Sequence, residues 1–238
     1  MPEAAIPQPA STVVLLRPNA NTGFDVYLNR RPDHLDTYAG VFVFPGGRVE
    51  ESDCSAAMLA LTRGLSPYEA QQKLGVSLPK EICLGYWVAA VRELFEEVGI
   101  HFLLCGPGTA DSSSDALYQR MAERRANLQN GEISFAELLA SERVYCDLSR
   151  LTYFFHRVTP EHYRVRFDTR FYIAALPPEQ TPLASSEEVV ESLWISPQLA
   201  LERFAQNEFP MMPPTVMVLR SLAKYRSWIE LRELLDVC

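Results

Sequence analysis

Apolar residues along the chain follow two rhythms. Short β-rich runs occupy Ser11 to Arg17, Gly23 to Arg30 and Val41 to Phe44, with a loop around Pro32 to Ala39. Further runs at Leu151 to Val158, Arg166 to Leu176 and Val189 to Ile195 also read as strands, the second of these rich in aromatics. Between them the period lengthens. Trp87, Ala90, Val91, Leu94 and Val98 form one apolar stripe, which predicts a helix starting near Tyr86. Shorter helices are predicted at Ala56 to Leu61, Pro67 to Leu74, Ala116 to Leu128 and Phe135 to Glu142, with a Gly- and Ser-rich loop over Gly106 to Asp115. Pro197 suits a first helical turn. The last forty residues then carry two helices split near Pro210 to Pro214. These elements predict an α/β sandwich in one domain, 11–238, after a flexible tail, 1–10, with no repeat, linker or helix-turn-helix pattern.

Composition narrows the function. A chain of 238 residues that is 47% hydrophobic can bury a substantial core. Its net charge of −8 gives no basic footprint, so binding to nucleic acid by phosphate neutralisation is not expected. No apolar stretch approaches membrane-spanning length. Cys54, Cys83, Cys105, Cys146 and Cys238 show no metal spacing and no disulfide framework. The N-terminal stretch lacks the basic and apolar regions of a secretion signal, and the C-terminal stretch is no peroxisomal address. A cytoplasmic protein is the expectation.

The apolar stripe of the central helix has an acidic opposite. In Arg92-Glu93-Leu94-Phe95-Glu96-Glu97-Val98-Gly99-Ile100, Glu93, Glu96 and Glu97 lie at i, i+3 and i+4, on one helix face. Hard carboxylate oxygens at this spacing suit magnesium or manganese, while a solvated acidic face is the plainer reading of the string alone. Gly99 has the position of a C-cap. Upstream, Gly40-Val41-Phe42-Val43-Phe44-Pro45-Gly46-Gly47 is a β-rich run ending in a glycine turn, where backbone can approach an anion or cation closely.

Strand, glycine turn, acid-bearing segment and acidic helix, in that order, resemble the Nudix hydrolase box, Gly-x5-Glu-x7-Arg-Glu-U-x-Glu-Glu-x-Gly-U with U aliphatic. Arg92 to Ile100 matches every defined position of the second half. In the first half, Asp53 stands where the family places Glu, and thirty-eight residues separate it from Arg92 in place of seven. The box is thus split by an insertion, about 54–80, expected to be helical. Such a surface insertion is thermodynamically tolerable because closure entropy grows only logarithmically with length. A split box resembles the Nudix subgroup related to the peroxisomal coenzyme A diphosphatases. The resemblance implies the Nudix fold, a mixed sheet sandwiched between helices, here with extra C-terminal helices over about 197–238.

It also implies a reaction, hydrolysis of a diphosphate linkage with Mg2+ or Mn2+ as cofactor. Glu93, Glu96 and Glu97 would hold the metal together with the carbonyl of Gly47, while Gly46 offers an amide to a phosphate oxygen. Arg92 stays protonated and cannot be a base; the family role carried onto it is to hold the catalytic carboxylates. Glu93 and Glu96 are candidates for the general base. So are Glu187 and Glu188, in the stretch before the final strand from which some family members recruit it; a solvated acidic loop is the plainer reading of that stretch.

The coenzyme A branch also carries an upstream signature, approximately Leu-Leu-Thr-x-Arg-(Ser/Ala)2-x3-Arg-x3-Gly-x3-Phe-Pro-Gly-Gly. Here Gly40-x3-Phe44-Pro45-Gly46-Gly47 fits and Arg30 takes the first Arg position, but Asp36 replaces the second Arg. Arg166-Phe167-Asp168-Thr169-Arg170 is similar to a string of the split-box subgroup, which makes Arg166 and Arg170 candidates for a phosphate, or simply charges facing water. The four histidines show no zinc or dyad spacing, and neither a Gly-x-Ser-x-Gly elbow nor a P-loop is present. The expected partner is a small nucleoside diphosphate derivative, coenzyme A or its thioesters first, then ADP-ribose, NADH or a sugar nucleotide. A non-catalytic nucleotide sensor is the alternative of another class. Many Nudix proteins pair, so the apolar C-terminal helices can bury a homodimer surface or complete the core.

Overall fold

The computed structural model describes residues 5–21, 23–34, 39–106, 115–183, 189–235 and 237. In chain order, β1 (Gln8–Pro18), β2 (Phe24–Arg30), β3 (Phe42–Val43) and β4 (Gly46–Arg48) lead into α1 (Ala56–Ala60), β5 (Thr62–Arg63), α2 (Pro67–Leu74) and α3 (Lys80–Val98). There follow β6 (Leu103–Cys105), α4 (Asp115–Gln129), α5 (Phe135–Glu142), β7 (Val144–Asp147), β8 (Thr152–Val158), β9 (Phe167–Ala175) and β10 (Glu191–Ile195). Three helices close the chain, α6 (Pro197–Ala205), α7 (Pro213–Leu222) and α8 (Trp228–Leu235).

The main sheet runs β10-β2-β1-β9-β8, with β3 branching from β2 and β4 from β1. Its central pair, β1 and β9, is parallel over nine residues, Gln8↔Phe167 to Leu16↔Ala175. A sheet buried on both faces needs continuous apolar runs, and Val13, Val14, Leu15 and Leu16 are all fully buried. Val13 and Leu15 face a core shared with α2 and α3; Val14 and Leu16 face one shared with α7 and α8. The C-terminal helices therefore complete the second core, through Val218, Leu219, Leu222 and Leu231 among others.

Local signals place several elements where the sequence predicts them. Ser66 and Ser134 cap α2 and α5 with Glu69 and Glu137 in reciprocal capping boxes. Others differ. The central helix starts at Lys80, not near Tyr86, and so carries Gly85 inside it. Glycine costs helix stability, but a Cβ at Gly85 would meet the Cys54 thiol at 2.3 Å, so the missing side chain admits the inserted segment. That insertion is not purely helical: β5 pairs in parallel with β7, which also pairs with β6, in a small second sheet. The strand expected over Val41 to Phe44 shrinks to Phe42–Val43. No helix among the described residues is long and apolar enough to cross a membrane.

His101, just past α3, is 4% exposed and stacked on Tyr118, with ring centroids 4.9 Å apart. Burial depresses its pKa to about 4, partly offset by Glu179. In the unfolded chain it protonates near the ordinary value of about 6.5, so the native state loses stability as pH falls from there toward 4. The loss amounts to about 3 kcal/mol if the shift is fully expressed. Urea unfolding at pH 7 and pH 4.5 should show a smaller drop for His101→Phe than for the unsubstituted chain. Equal drops would refute the assignment.

Candidate functional site

Arg92 is 4% exposed and every one of its N–H donors is engaged. Its Nε and Nη2 grip Asp53 side-on, at 2.8 Å to Oδ1 and 2.9 Å to Oδ2. Nη2 also donates to the carbonyl of Arg48 at 2.9 Å, and Nη1 to Glu93 Oε1 at 2.9 Å and Glu96 Oε2 at 3.3 Å. Asp53 is itself 1% exposed, lies on a short 3-10 turn, Ser52–Cys54, and accepts the Glu50 amide at 2.8 Å. Burial works against the guanidinium charge, but Asp53, then Glu93 and Glu96, outweigh it and raise its pKa. Asp53, thirty-nine residues away in sequence, thus completes the split box through Arg92.

The acids of α3 lie against the glycine turn. Glu97 Oε2 accepts the Gly46 amide at 3.0 Å. A Cβ on Gly47 would fall within 2.4 Å of the Glu93 carboxyl carbon, so glycine is what lets that carboxyl lie over the turn. Gly46 has φ +155°, and a Cβ there would come within 2.3 Å of the Ser11 carbonyl oxygen. Burial is the largest cause that raises the pKa of Glu93 to about 7; Arg92 opposes it, and Glu96 and Asp53 add to it. The Glu96 carboxyl is raised too, again first by burial, with Arg92 opposing.

These hard oxygen donors suit Mg2+ or Mn2+ in kind. Among the described residues, however, no group of three or more His, Cys, Asp or Glu is already arranged to hold a metal ion. The bonds account for this: Arg92 takes one oxygen each of Glu93 and Glu96, and the Gly46 amide takes one of Glu97.

The other expected site residues scatter. Arg30 ends β2, pairs with Asp33 at 2.8 Å and lines a cleft of about 250 Å³ with Phe42, Arg203 and Phe209. Arg166 donates to the carbonyls of Thr159 at 3.0 Å and Ala5 at 2.6 Å, so it ties backbone segments together instead of facing the acids. Arg170 is buried, paired with Asp168 and set 5.2 Å from the Tyr86 ring centroid. Glu187, Glu188 and Asp36 lie outside the described residues. Leu183, four positions before Glu187, bonds to the Val98 carbonyl at 3.0 Å and accepts the Tyr27 hydroxyl at 2.6 Å. Sequence reading also missed Arg125 and Gln129 of α4, which both donate to the backbone carbonyl of Glu96. The signal was present: Arg125 interrupts the apolar stripe of Leu117, Met121 and Leu128.

The chain is similar to several known proteins. The family model of the NUDT19 Nudix domain matches residues 4–222. Human acyl-coenzyme A diphosphatase NUDT19 is 28% identical over 252 aligned positions, covering 91% of this chain and 65% of that protein. The chicken protein of the same name is 30% identical, covering 80% and 59%. The chain therefore spans under two thirds of the length of these curated relatives. Among solved structures, a Nudix hydrolase from Alicyclobacillus acidocaldarius superposes with a TM-score of 0.78 at 26% identity, over 98% of this chain and 99% of the other. A box whose two halves are rejoined by one buried ion pair, together with these matches, assigns the chain to the Nudix superfamily, in the family of the NUDT19 Nudix domain.

Proposed function

We propose that this chain is a divalent-metal-dependent diphosphohydrolase that cleaves coenzyme A or acyl-coenzyme A into adenosine bisphosphate and (acyl-)phosphopantetheine. The observation that carries this reading is the Arg92 web, which holds Glu93 and Glu96 beside the Gly46–Gly47 turn. Glu93, Glu96, Glu97 and the Gly47 carbonyl would hold Mg2+ or Mn2+, which when bound supplies neutralisation of the diphosphate and acidification of a water. Arg92 stays charged and orients the acids. Gly46 presents an amide at the turn, beside Glu97, and would offer it to a phosphate oxygen. Glu93 and Glu96 are candidates for the proton acceptor, a carboxylate that holds the cation being the poorer base; Glu187 and Glu188 are the other candidates for that role.

The substrate class is supported by the names of the relatives and by Arg30 at the signature position, in a cleft beside β3. Asp36 in place of the second signature Arg favours keeping ADP-ribose, NADH and sugar nucleotides as a second reading. A cytoplasmic location and a homodimer remain part of the same proposal.

Incubation with Mg2+ or Mn2+ and a panel of coenzyme A, acetyl-coenzyme A, ADP-ribose, NADH and UDP-glucose should show preferential turnover of the coenzyme A species. Glu97→Gln should lower kcat by more than about a hundredfold, beyond what loss of a supporting partner costs. Preference for another compound would discard the substrate, and no turnover at all would favour nucleotide sensing.

Asp53→Asn should cost about 3 kcal/mol of stability in urea unfolding, because it removes one partner of a buried ion pair and leaves the guanidinium undercompensated. Asp53→Glu should recover most of it. A change below about 1 kcal/mol for Asp53→Asn, the range of an exposed pair, would show that Asp53 does not anchor Arg92.

A further inference from the structure

The C-terminal turn of the acidic helix is held from outside by two separate segments, α4 and the stretch at Leu183. A helix leaves its last carbonyls without intrahelical partners, here including those of Glu96, Glu97 and Val98. Phe95 accepts the Gly99 amide at 2.9 Å, and Val98 accepts the Leu183 amide at 3.0 Å. Glu96 receives two donors from one helix, Arg125 Nη1 at 2.5 Å and Gln129 Nε2 at 2.8 Å, both from α4. These two side chains lie four residues apart, on one face of α4.

The placement of Arg125 is costly and therefore informative. Leu117, Met121 and Leu128 bury the core-facing stripe of α4 to within 7% exposure. Arg125, four residues after Met121 and three before Leu128, continues that stripe with a charge. Its neighbours Arg120 and Arg124 turn the other way, to Glu142 of α5 at 2.7 and 3.0 Å. A half-buried guanidinium at a helix C-terminus is stabilised by the carbonyl dipoles there. It also stands beside a residue whose carboxyl already bonds to Arg92. Glu96 is thereby held at both ends, its carboxyl by Arg92 and its backbone by α4.

We propose that Arg125, assisted by Gln129, is a positioning residue that fixes the last turn of α3 so that the Glu96 and Glu97 carboxylates meet a divalent cation in register with the Gly46–Gly47 turn. This rests on the metal-dependent reading of the site. Charge alone makes the opposite prediction. Arg125 adds a positive charge near the acids, and removing it would by Coulomb attraction tighten cation binding. Loosening the helix end weakens it, so the sign of the change separates the two.

The test is Mn2+ binding to the full chain, measured by calorimetry or by the free-ion paramagnetic signal without any nucleotide, beside steady-state hydrolysis. Arg125→Ala should raise the Mn2+ Kd about tenfold, the scale of a supporting partner, and lower kcat by a similar factor with KM changed less than about twofold. Arg125→Lys, which can still donate to the same carbonyl, should recover most of both. Gln129→Ala should shift both in the same direction by less. Unchanged or tighter Mn2+ binding in Arg125→Ala would overturn the proposal. If the unsubstituted chain binds Mn2+ yet hydrolyses no diphosphate, the hydrolase reading fails, while the Mn2+ affinities still decide the role of Arg125.

Discussion

A guanidinium buried to 4% exposure must be compensated on all sides or the fold does not hold it, and that constraint organises this protein. Arg92 satisfies it with five hydrogen bonds that reach the first half of the split box at Asp53, the glycine turn at Arg48 and its own helix at Glu93 and Glu96. One side chain therefore joins the three segments that a linear pattern keeps apart. The arrangement also sets the electrostatics of the acids. Arg92 opposes the rise that burial causes in Glu93 and Glu96 without cancelling it, so both carboxyls stay raised from their ordinary values.

The sheet supplies the rigid reference for this web. β1 pairs with β4 through its first half and with β2 through its second, so the glycine turn is held by backbone bonds at Ala10 to Thr12. The Val13 amide donates to the Pro45 carbonyl at 2.8 Å, and the Ser11 hydroxyl to the Tyr86 carbonyl of α3 at 2.7 Å. The turn and the acidic helix are thus tied to the same strand. This explains how some thirty inserted residues are accommodated: α1, β5 and α2 pack outside the junction, while Gly85 leaves room for Cys54 to close it.

Binding at the C-terminal end of α3 extends the same logic. A helix end pinned by Gly99, by α4 and by Leu183 has little freedom to fray. Frayed acids would lose the spacing on which the proposed metal site depends. The elaborations that follow the box, which look peripheral along the chain, are brought to bear on its last turn.

Local chemistry was legible without a structure. The sequence runs located α2 and α5, each of which begins with a Ser capping box in the structure. The spacing of Glu93, Glu96 and Glu97 put three acids on one face whatever surrounds them, and Gly46-Gly47 marked a turn that other residues cannot make. Long-range pairing was not legible. β5, β6 and β7 are two to four residues long, too short to show an alternation, and exist only because they pair with one another. Arg166 and Arg170 looked alike in one strand, yet the first bonds to carbonyls of neighbouring segments and the second lies buried against Asp168 and Tyr86. Which residue types could do the chemistry was already readable along the chain, because side-chain spacing on a helix is a local property. That Asp53 is Arg92's counter-charge and that Arg125 bonds to the Glu96 carbonyl emerged from the folded chain alone, because those contacts depend on where distant segments return.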